Sequence, residues 1–102
     1  MANAIDNFFL RDKVCIITGG AGLLGGKNAE AILEAGGAPV LWDIDIDKAT
    51  EVAKSLQRLS DIRTMADQVD ITSPDSIKAG LGKILKEHGH ADILINNAAN
   101  DP

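Results

Sequence analysis

Hydrophobic positions fall along this chain in two rhythms. Short unbroken apolar runs alternate with longer stretches in which apolar residues recur three and four positions apart. Residues 13–18 (Lys-Val-Cys-Ile-Ile-Thr) form an apolar, β-branched run, which predicts a strand buried on both faces. Residues 23–36 read as a helix with Leu24, Ala31, Ile32 and Ala35 inward, stopped by Gly36 and Gly37. Residues 39–43 (Pro-Val-Leu-Trp-Asp) predict a second strand. Ala49, Val52, Ala53 and Leu56 then sit at i, i+3, i+4 and i+7, one face of a helix for which Asp47 is the expected N-cap. Residues 63–70 give a weaker third strand, interrupted by polar residues. Ser73-Pro74-Asp75 is a helix start with cap, Pro in the first turn and an acid at the dipole's positive end. Ile77, Leu81, Ile84, Leu85 and His88 keep one face of that helix until Gly89, and residues 92–96 predict a fourth strand.

The resulting order is βαβαβαβ. Short apolar strands alternating with helices imply an α/β fold, a parallel sheet covered on both faces. Residues 1–12 are expected to form an arm, with Phe8, Phe9 and Leu10 tucked against the sheet because three adjacent apolar residues are costly to leave in water. Residues 13–102 make up the domain proper.

The candidate chemistry lies after the first strand. Thr18-Gly19-Gly20-Ala21-Gly22-Leu23-Leu24-Gly25 holds G-x-G-x-x-G at Gly20, Gly22 and Gly25, between a predicted strand and a predicted helix. In that context the pattern predicts a dinucleotide site. A Cβ on the turn would hold a pyrophosphate off the backbone amides, and Gly25 lets the helix pack tightly on the strand. The diphosphate is expected on bare main-chain amides between Thr18 and Gly25, at a helix N-terminus with a positive partial charge. Asp43 ends the second strand 21 positions after Gly22, where a carboxylate accepts both ribose hydroxyls of an adenosine and repels a 2′-phosphate. With Ile44 beside it, it favours NAD, with NADP the weaker candidate. Capping of the following turn is the competing role for Asp43. Lys27, in the first turn of the helix, reads as a surface lysine as readily as a phosphate neighbour.

Charge and composition remove other classes. The 102 residues carry 10 Lys and Arg against 15 Asp and Glu, a net charge of −5, which argues against a nucleic-acid partner. A hydrophobic fraction of 45% suits a globular domain, and no apolar run approaches the roughly 18 residues of a membrane span. The N-terminus has no basic, then apolar, secretory pattern. A single cysteine, Cys15, cannot form an internal disulfide, so a reducing compartment, the cytoplasm, is expected.

Taken together, these residues resemble the short-chain dehydrogenase/reductase family. The resemblance rests on the Thr18-Gly19 opening with glycines through Gly25, on Asp70-Ile71 after the third strand, and on Ile95-Asn96-Asn97-Ala98-Ala99 after the fourth, similar to the family's Asn-Asn-Ala-Gly motif. It implies a three-layer, Rossmann-type doubly wound sheet in the order 3-2-1-4, ended after the fourth strand where the family continues. It implies that Asp70 accepts from the adenine amino group, that the Ile71 backbone lies along the ring, that Asn96 and Asn97 tie the fourth strand to its neighbours, and that the backbone from Asn96 to Ala98 passes close to the cofactor ribose, with Ala99 closing the cofactor-binding motif. It further implies an NAD(P)-dependent oxidoreductase transferring hydride to or from a small alcohol or carbonyl compound, and a homo-oligomer. Two departures stand out. The glycines fall as Thr-Gly-x-x-Gly-x-x-Gly, with Leu23 where the single-domain branch has Gly, a spacing similar to sugar-nucleotide epimerases and dehydratases; Ala99 replaces the usual Gly.

The family's Tyr-x-x-x-Lys acid–base pair is missing, since the chain has no tyrosine. Nothing replaces it. His88 and His90 flank a helix-stop glycine and suit a dipole contact, Cys15 reads as inert packing, Ser73 as a cap, and no spacing suggests a metal site. No residue of this chain is therefore expected to be catalytic, and the sequence reads as the cofactor-binding first half of such an enzyme. A module that binds NAD without turnover, and the first part of an epimerase or dehydratase, are the alternatives. An open edge on the fourth strand would favour self-association.

Overall fold

The computed structural model describes residues 8–97. The strands β1 (Val14–Thr18), β2 (Ala38–Asp43), β3 (Met65–Gln68) and β4 (Ile93–Asn96) alternate with the helices α1 (Leu23–Glu34), α2 (Ile46–Gln57) and α3 (Pro74–His88). The strands form one sheet in the order β3-β2-β1-β4, every pair parallel. This is the Rossmann-like order that the family resemblance implies.

Strand periodicity sorts the core into two layers. Cys15 and Ile17 of β1 and Leu41 of β2 face α1 and α2, meeting Ala29, Ile32 and Leu33 from one and Ala49, Ala53 and Leu56 from the other. Val14, Ile16, Val40 and Trp42 face the opposite side, where Met65, Val69 and Ile84 of α3 close over them. Ile17, Leu41 and Ile84 are wholly buried, each contributing about 1.5–3 kcal/mol by burial.

Several sequence expectations shift. α1 buries Gly25, Ala29, Ile32 and Leu33, while Leu24 and Ala31 are exposed. The cause is Gly25: a Cβ there would stand 2.5 Å from the Gly19 carbonyl oxygen and 2.8 Å from the Gly20 Cα. Contact with that turn fixes the rotation of α1, so the residues four, seven and eight positions on turn inward. The helix ends as foreseen: Gly36 takes φ +90°, and the Gly36 and Gly37 amides donate to the Leu33 and Ile32 carbonyls, a Schellman closure. Asp45, not Asp47, caps α2, accepting from the Lys48 amide at 3.1 Å; Asp47 lies inside the first turn. Ser73 caps α3 and Gly89, at φ +84°, ends it, but Leu85 is exposed while Ile84 is buried. β3 is half as long as the 63–70 reading, because only Met65–Gln68 lie in register with β2.

Of the arm, Leu10 packs on the α1–α2 side of the core and Phe8 is half-exposed against Gly36, whereas Phe9, expected to tuck in, is exposed. Residues 1–7 of the expected arm, and Ala98 and Ala99 of the expected site, lie outside the described residues.

Candidate nucleotide-binding site

β1 delivers the chain to Thr18 at the carboxyl edge of the sheet, and the glycine turn begins there. Gly19 adopts φ +66°, a conformation open to glycine at little cost. The turn is then pinned from inside. The amides of Gly20, Ala21 and Gly22, expected to be bare, donate to the Trp42 carbonyl at 3.2 Å, the Asp43 carboxylate at 3.0 Å and the Gly19 carbonyl at 3.1 Å. A Cβ on Gly20 would meet Leu41 Cβ at 2.7 Å. So Gly20, like Gly25, is small because the turn presses on its own sheet and helix, not to let a phosphate approach. Gly22 is different, since a Cβ there would touch only the Gly19 oxygen, at 3.4 Å.

The groups left for an anion belong to the first turn of α1. Gly22 is the N-cap, no side chain caps it, and the first turn holds no acid. A helix end of this kind leaves its leading N–H groups and the positive end of its dipole unanswered. Leu23 and Leu24 stand there largely exposed. Lys27 is one turn further on and lines a neighbouring cleft together with Glu30, Lys48 and Val52.

Beside this helix end the carboxyl ends of β1, β2 and β3 frame a cleft of about 460 Å³. Gly19 and Gly22 form one wall, Trp42, Asp43 and Ile44 the floor, and Val69, Asp70, Ile71 and Thr72 the other wall. Six of the sequence-predicted residues thus meet in one place. Asp43 is already engaged: one oxygen takes the Ala21 amide and the other the Asp45 amide at 2.9 Å. It therefore ties the glycine turn to the end of β2, and each oxygen keeps a second lone pair for a further donor. Asp70 accepts from both the amide and the hydroxyl of Thr72, which holds its carboxyl below the usual carboxylate range.

Thr18, Asn96 and Asn97 gather next door, where β4 ends against β1. The Thr18 hydroxyl is 2.8 Å from Asn96 Oδ1, and Asn28 Nδ2 donates to Asn97 Oδ1 at 3.3 Å. The second hydrogen-bonding group of Asn97, Nδ2, is buried without a partner among the described residues. Sequence reasoning missed Val69, Thr72 and Asn28. Asn28 could have been found from its spacing, three residues after Gly25 and so on the same helix face.

The remaining polar candidates lie elsewhere. His90 pairs with Asp92 at 2.6 Å at the amino end of β4, remote from the cleft. Cys15 is free and buried, and burial first, then the Asp92 charge, pushes its thiol up, which leaves it unreactive. Among the described residues no cluster of His, Cys, Asp and Glu could hold a metal ion, and no helix is long and apolar enough to cross a membrane.

Comparison with known proteins adds the following. A family model described as short chain dehydrogenase matches residues 13–101. The peroxisomal 2,4-dienoyl-CoA reductase of Danio rerio is 35% identical over 92 residues, covering 90% of this chain and 31% of that protein. The NAD-dependent glycerol dehydrogenase of Listeria innocua is 37% identical over 92 residues, covering 90% and 35%. Among solved structures, the L-sorbose reductase of Gluconobacter frateurii, complexed with NADPH and L-sorbose, superposes with a TM-score of 0.82 at 31% identity, over 89% of this chain and 35% of that one. The chain spans about a third of the length of the curated relatives it matches.

Proposed function

The chain belongs to the short chain dehydrogenase family, and on that premise we propose that it forms the cofactor-binding part of an NAD(P)-dependent oxidoreductase acting on a small alcohol or carbonyl compound. The observation that carries this is the cleft at the carboxyl edge, where the glycine turn, the end of β2 and the end of β3 converge on one space. The residues fit a dinucleotide: an uncapped helix end suits a diphosphate, and a carboxylate at the end of β2 suits a ribose diol.

In this reading the first-turn amides of α1, at Leu23 and Leu24, hold the diphosphate. Gly19, Gly20, Gly22 and Gly25 shape the turn that presents them. Asp43 and Ile44 take the adenosine ribose, and Asp43 disfavours a 2′-phosphate, so NAD is preferred over NADP. Asp70 and the Ile71 backbone hold the adenine. Thr18, Asn96 and Asn97, continued by Ala98 and Ala99, border the second ribose. A nicotinamide cofactor supplies the hydride acceptor or donor, and the protein orients it. None of the 102 residues is a tyrosine, so this chain brings no Tyr-x-x-x-Lys pair of its own. The second reading is a module that binds the dinucleotide without turnover.

The test is titration with NADH. Trp42 is the sole tryptophan and no tyrosine competes, so energy transfer to bound NADH reports on the cleft floor alone. Saturable transfer, weaker with NADPH, supports the reading; no transfer and no heat of binding defeat it. With no catalytic residue expected among them, these 102 residues should bind NAD but accumulate no NADH when alcohols are added, so the titration and not turnover is the test of the site. The free Cys15 supports a cytoplasmic location, and the uncovered β4 supports association with further copies, to be checked by light scattering.

A further inference from the structure

The cofactor cleft uses the carboxyl edge of the sheet. The outer side of β3 forms a second, larger cleft of about 560 Å³, flanked by α2 on one side and α3 on the other. β3 is the last strand on that side, so half its backbone groups point away from the sheet. Which half follows from one bond. The Val69 amide donates to the Asp43 carbonyl at 3.2 Å, so residues 65, 67 and 69 bond β2 while 64, 66 and 68 face outward. The outward amide of Thr64 confirms the direction: it donates at 2.9 Å to Gln57 Oε1, a side-chain carbonyl of α2 standing where a neighbouring strand's carbonyl would be. Beyond Gln57 the outward groups of Ala66 open into the cleft, and those of Gln68 continue the same strand edge past the end of the cleft.

Two further observations say what the cleft accepts. Its walls carry Lys54, Arg63, Lys83 and Lys86 against only Asp67 and Glu87, a local cationic excess on a chain whose net charge is −5. Arg63 pairs with Glu87 at 2.6 Å and Lys83 with Asp67 at 3.5 Å, which leaves Lys54 and Lys86 without an ion-pair partner among the described residues. The wall also holds Thr64, 9% exposed, whose hydroxyl oxygen is buried with no partner among the described residues.

We propose that the outer edge of β3 is a docking site for an extended acidic peptide, which adds as a strand along Ala66 and Gln68 with its carboxylates between Lys54 and Lys86. Main-chain pairing supplies the attraction and the lysines the selection for acidic side chains.

The test uses the full chain and fluorescein-labelled Ac-Val-Glu-Val-Glu-Val-amide, followed by anisotropy. Saturable binding is expected, weakened when salt rises from about 50 to about 500 mM. The same peptide with Lys for Glu should bind roughly tenfold more weakly, and Lys54→Glu with Lys86→Glu should reverse that preference. Ala66→Pro removes one outward N–H and leaves the β2 ladder intact, so it should cost roughly tenfold in peptide affinity with the circular dichroism and NADH titration unchanged. Equal binding of both peptides, or full binding to Ala66→Pro, overturns the proposal. So does a dimer in sedimentation that Ala66→Pro dissociates while the peptide fails to bind. Should Ala66→Pro misfold, the lysine pair alone decides, because both side chains are exposed.

Discussion

β2 and β4 flank the same central strand and both contain a short apolar run, yet their surroundings differ. In β2, Val40 and Leu41 are wholly buried and Trp42 is 4% exposed, because α1 and α2 cover one face and α3 the other. In β4, Ile93 and Ile95 are half-buried against the α1–α2 side, while Leu94, in register with Ile16, is 61% exposed on the α3 side. An unbroken apolar run therefore states what a strand tolerates, not what covers it. Burial is set by the helices that cross it, and α3 reaches β3, β2 and β1 before it reaches β4. The two strands are also fastened differently. Asp43 at the end of β2 latches the glycine turn, whereas Asp92 before β4 accepts the Val14 amide at 2.8 Å and latches β4 to the start of β1.

Substitutions sharpen the contrast. Leu41→Ala, in the wholly buried strand, should destabilise by about 2–5 kcal/mol in urea unfolding. Gly20→Ala presses a methyl group on Leu41 at 2.7 Å; it should cost about 1–3 kcal/mol and displace the turn that the cofactor needs, so stability and NADH affinity fall together. Asp43→Asn keeps the side chain's shape but drops its charge. It should weaken NADH binding by about 1–2 kcal/mol while narrowing the difference between NADH and NADPH, which paired titrations would read.

Acid separates the two ends. The Val14 amide first, then the His90 contacts, hold the Asp92 carboxyl below its ordinary value of 3.8. A group lowered on folding gives stability that is present above the unfolded value and lost as pH falls through the folded one. Asp92→Asn should thus be less stable than the parent near neutrality, and the gap should close below the ordinary carboxylate value. A gap that stays constant down to about pH 2 would show that the Asp92 charge is not what fastens β4. The smallest effect belongs to Leu94→Ala, within about 0.5 kcal/mol on stability, with reduced light scattering where the exposed face mediates association. A loss there as large as that of Leu41→Ala would erase the distinction between the strands.

Much of this was legible in the chain. The alternation of strands and helices, the Ser73 cap and the stops at Gly36 and Gly89 follow from local chemistry that tertiary packing did not override, whereas the strand order 3-2-1-4 was implied by the family resemblance. The inward face of α1 was not legible, because contact between Gly25 and the turn, a tertiary event, sets the helix's rotation. The pinned amides of Gly20, Ala21 and Gly22 were hidden for a similar reason. Their partners, Trp42 and Asp43, lie some twenty positions away and meet the turn only through the β1–β2 register. Asp43 itself was read as ligand or cap, and here it holds the glycine turn and the Asp45 amide while lining the cleft. The sequence could place that carboxylate at the strand end but could not show that it fastens the site it borders.

The central claim is that a dinucleotide lies across the carboxyl edge of the sheet, and backbone amide NMR during an NAD titration tests it most directly. The account predicts saturable shifts at Gly19, Leu23, Leu24, Ile44 and Ile71, with the amides of Gly89 and His90 at the opposite edge unmoved. Shifts centred on that opposite edge, or none anywhere at saturating NAD, would contradict it.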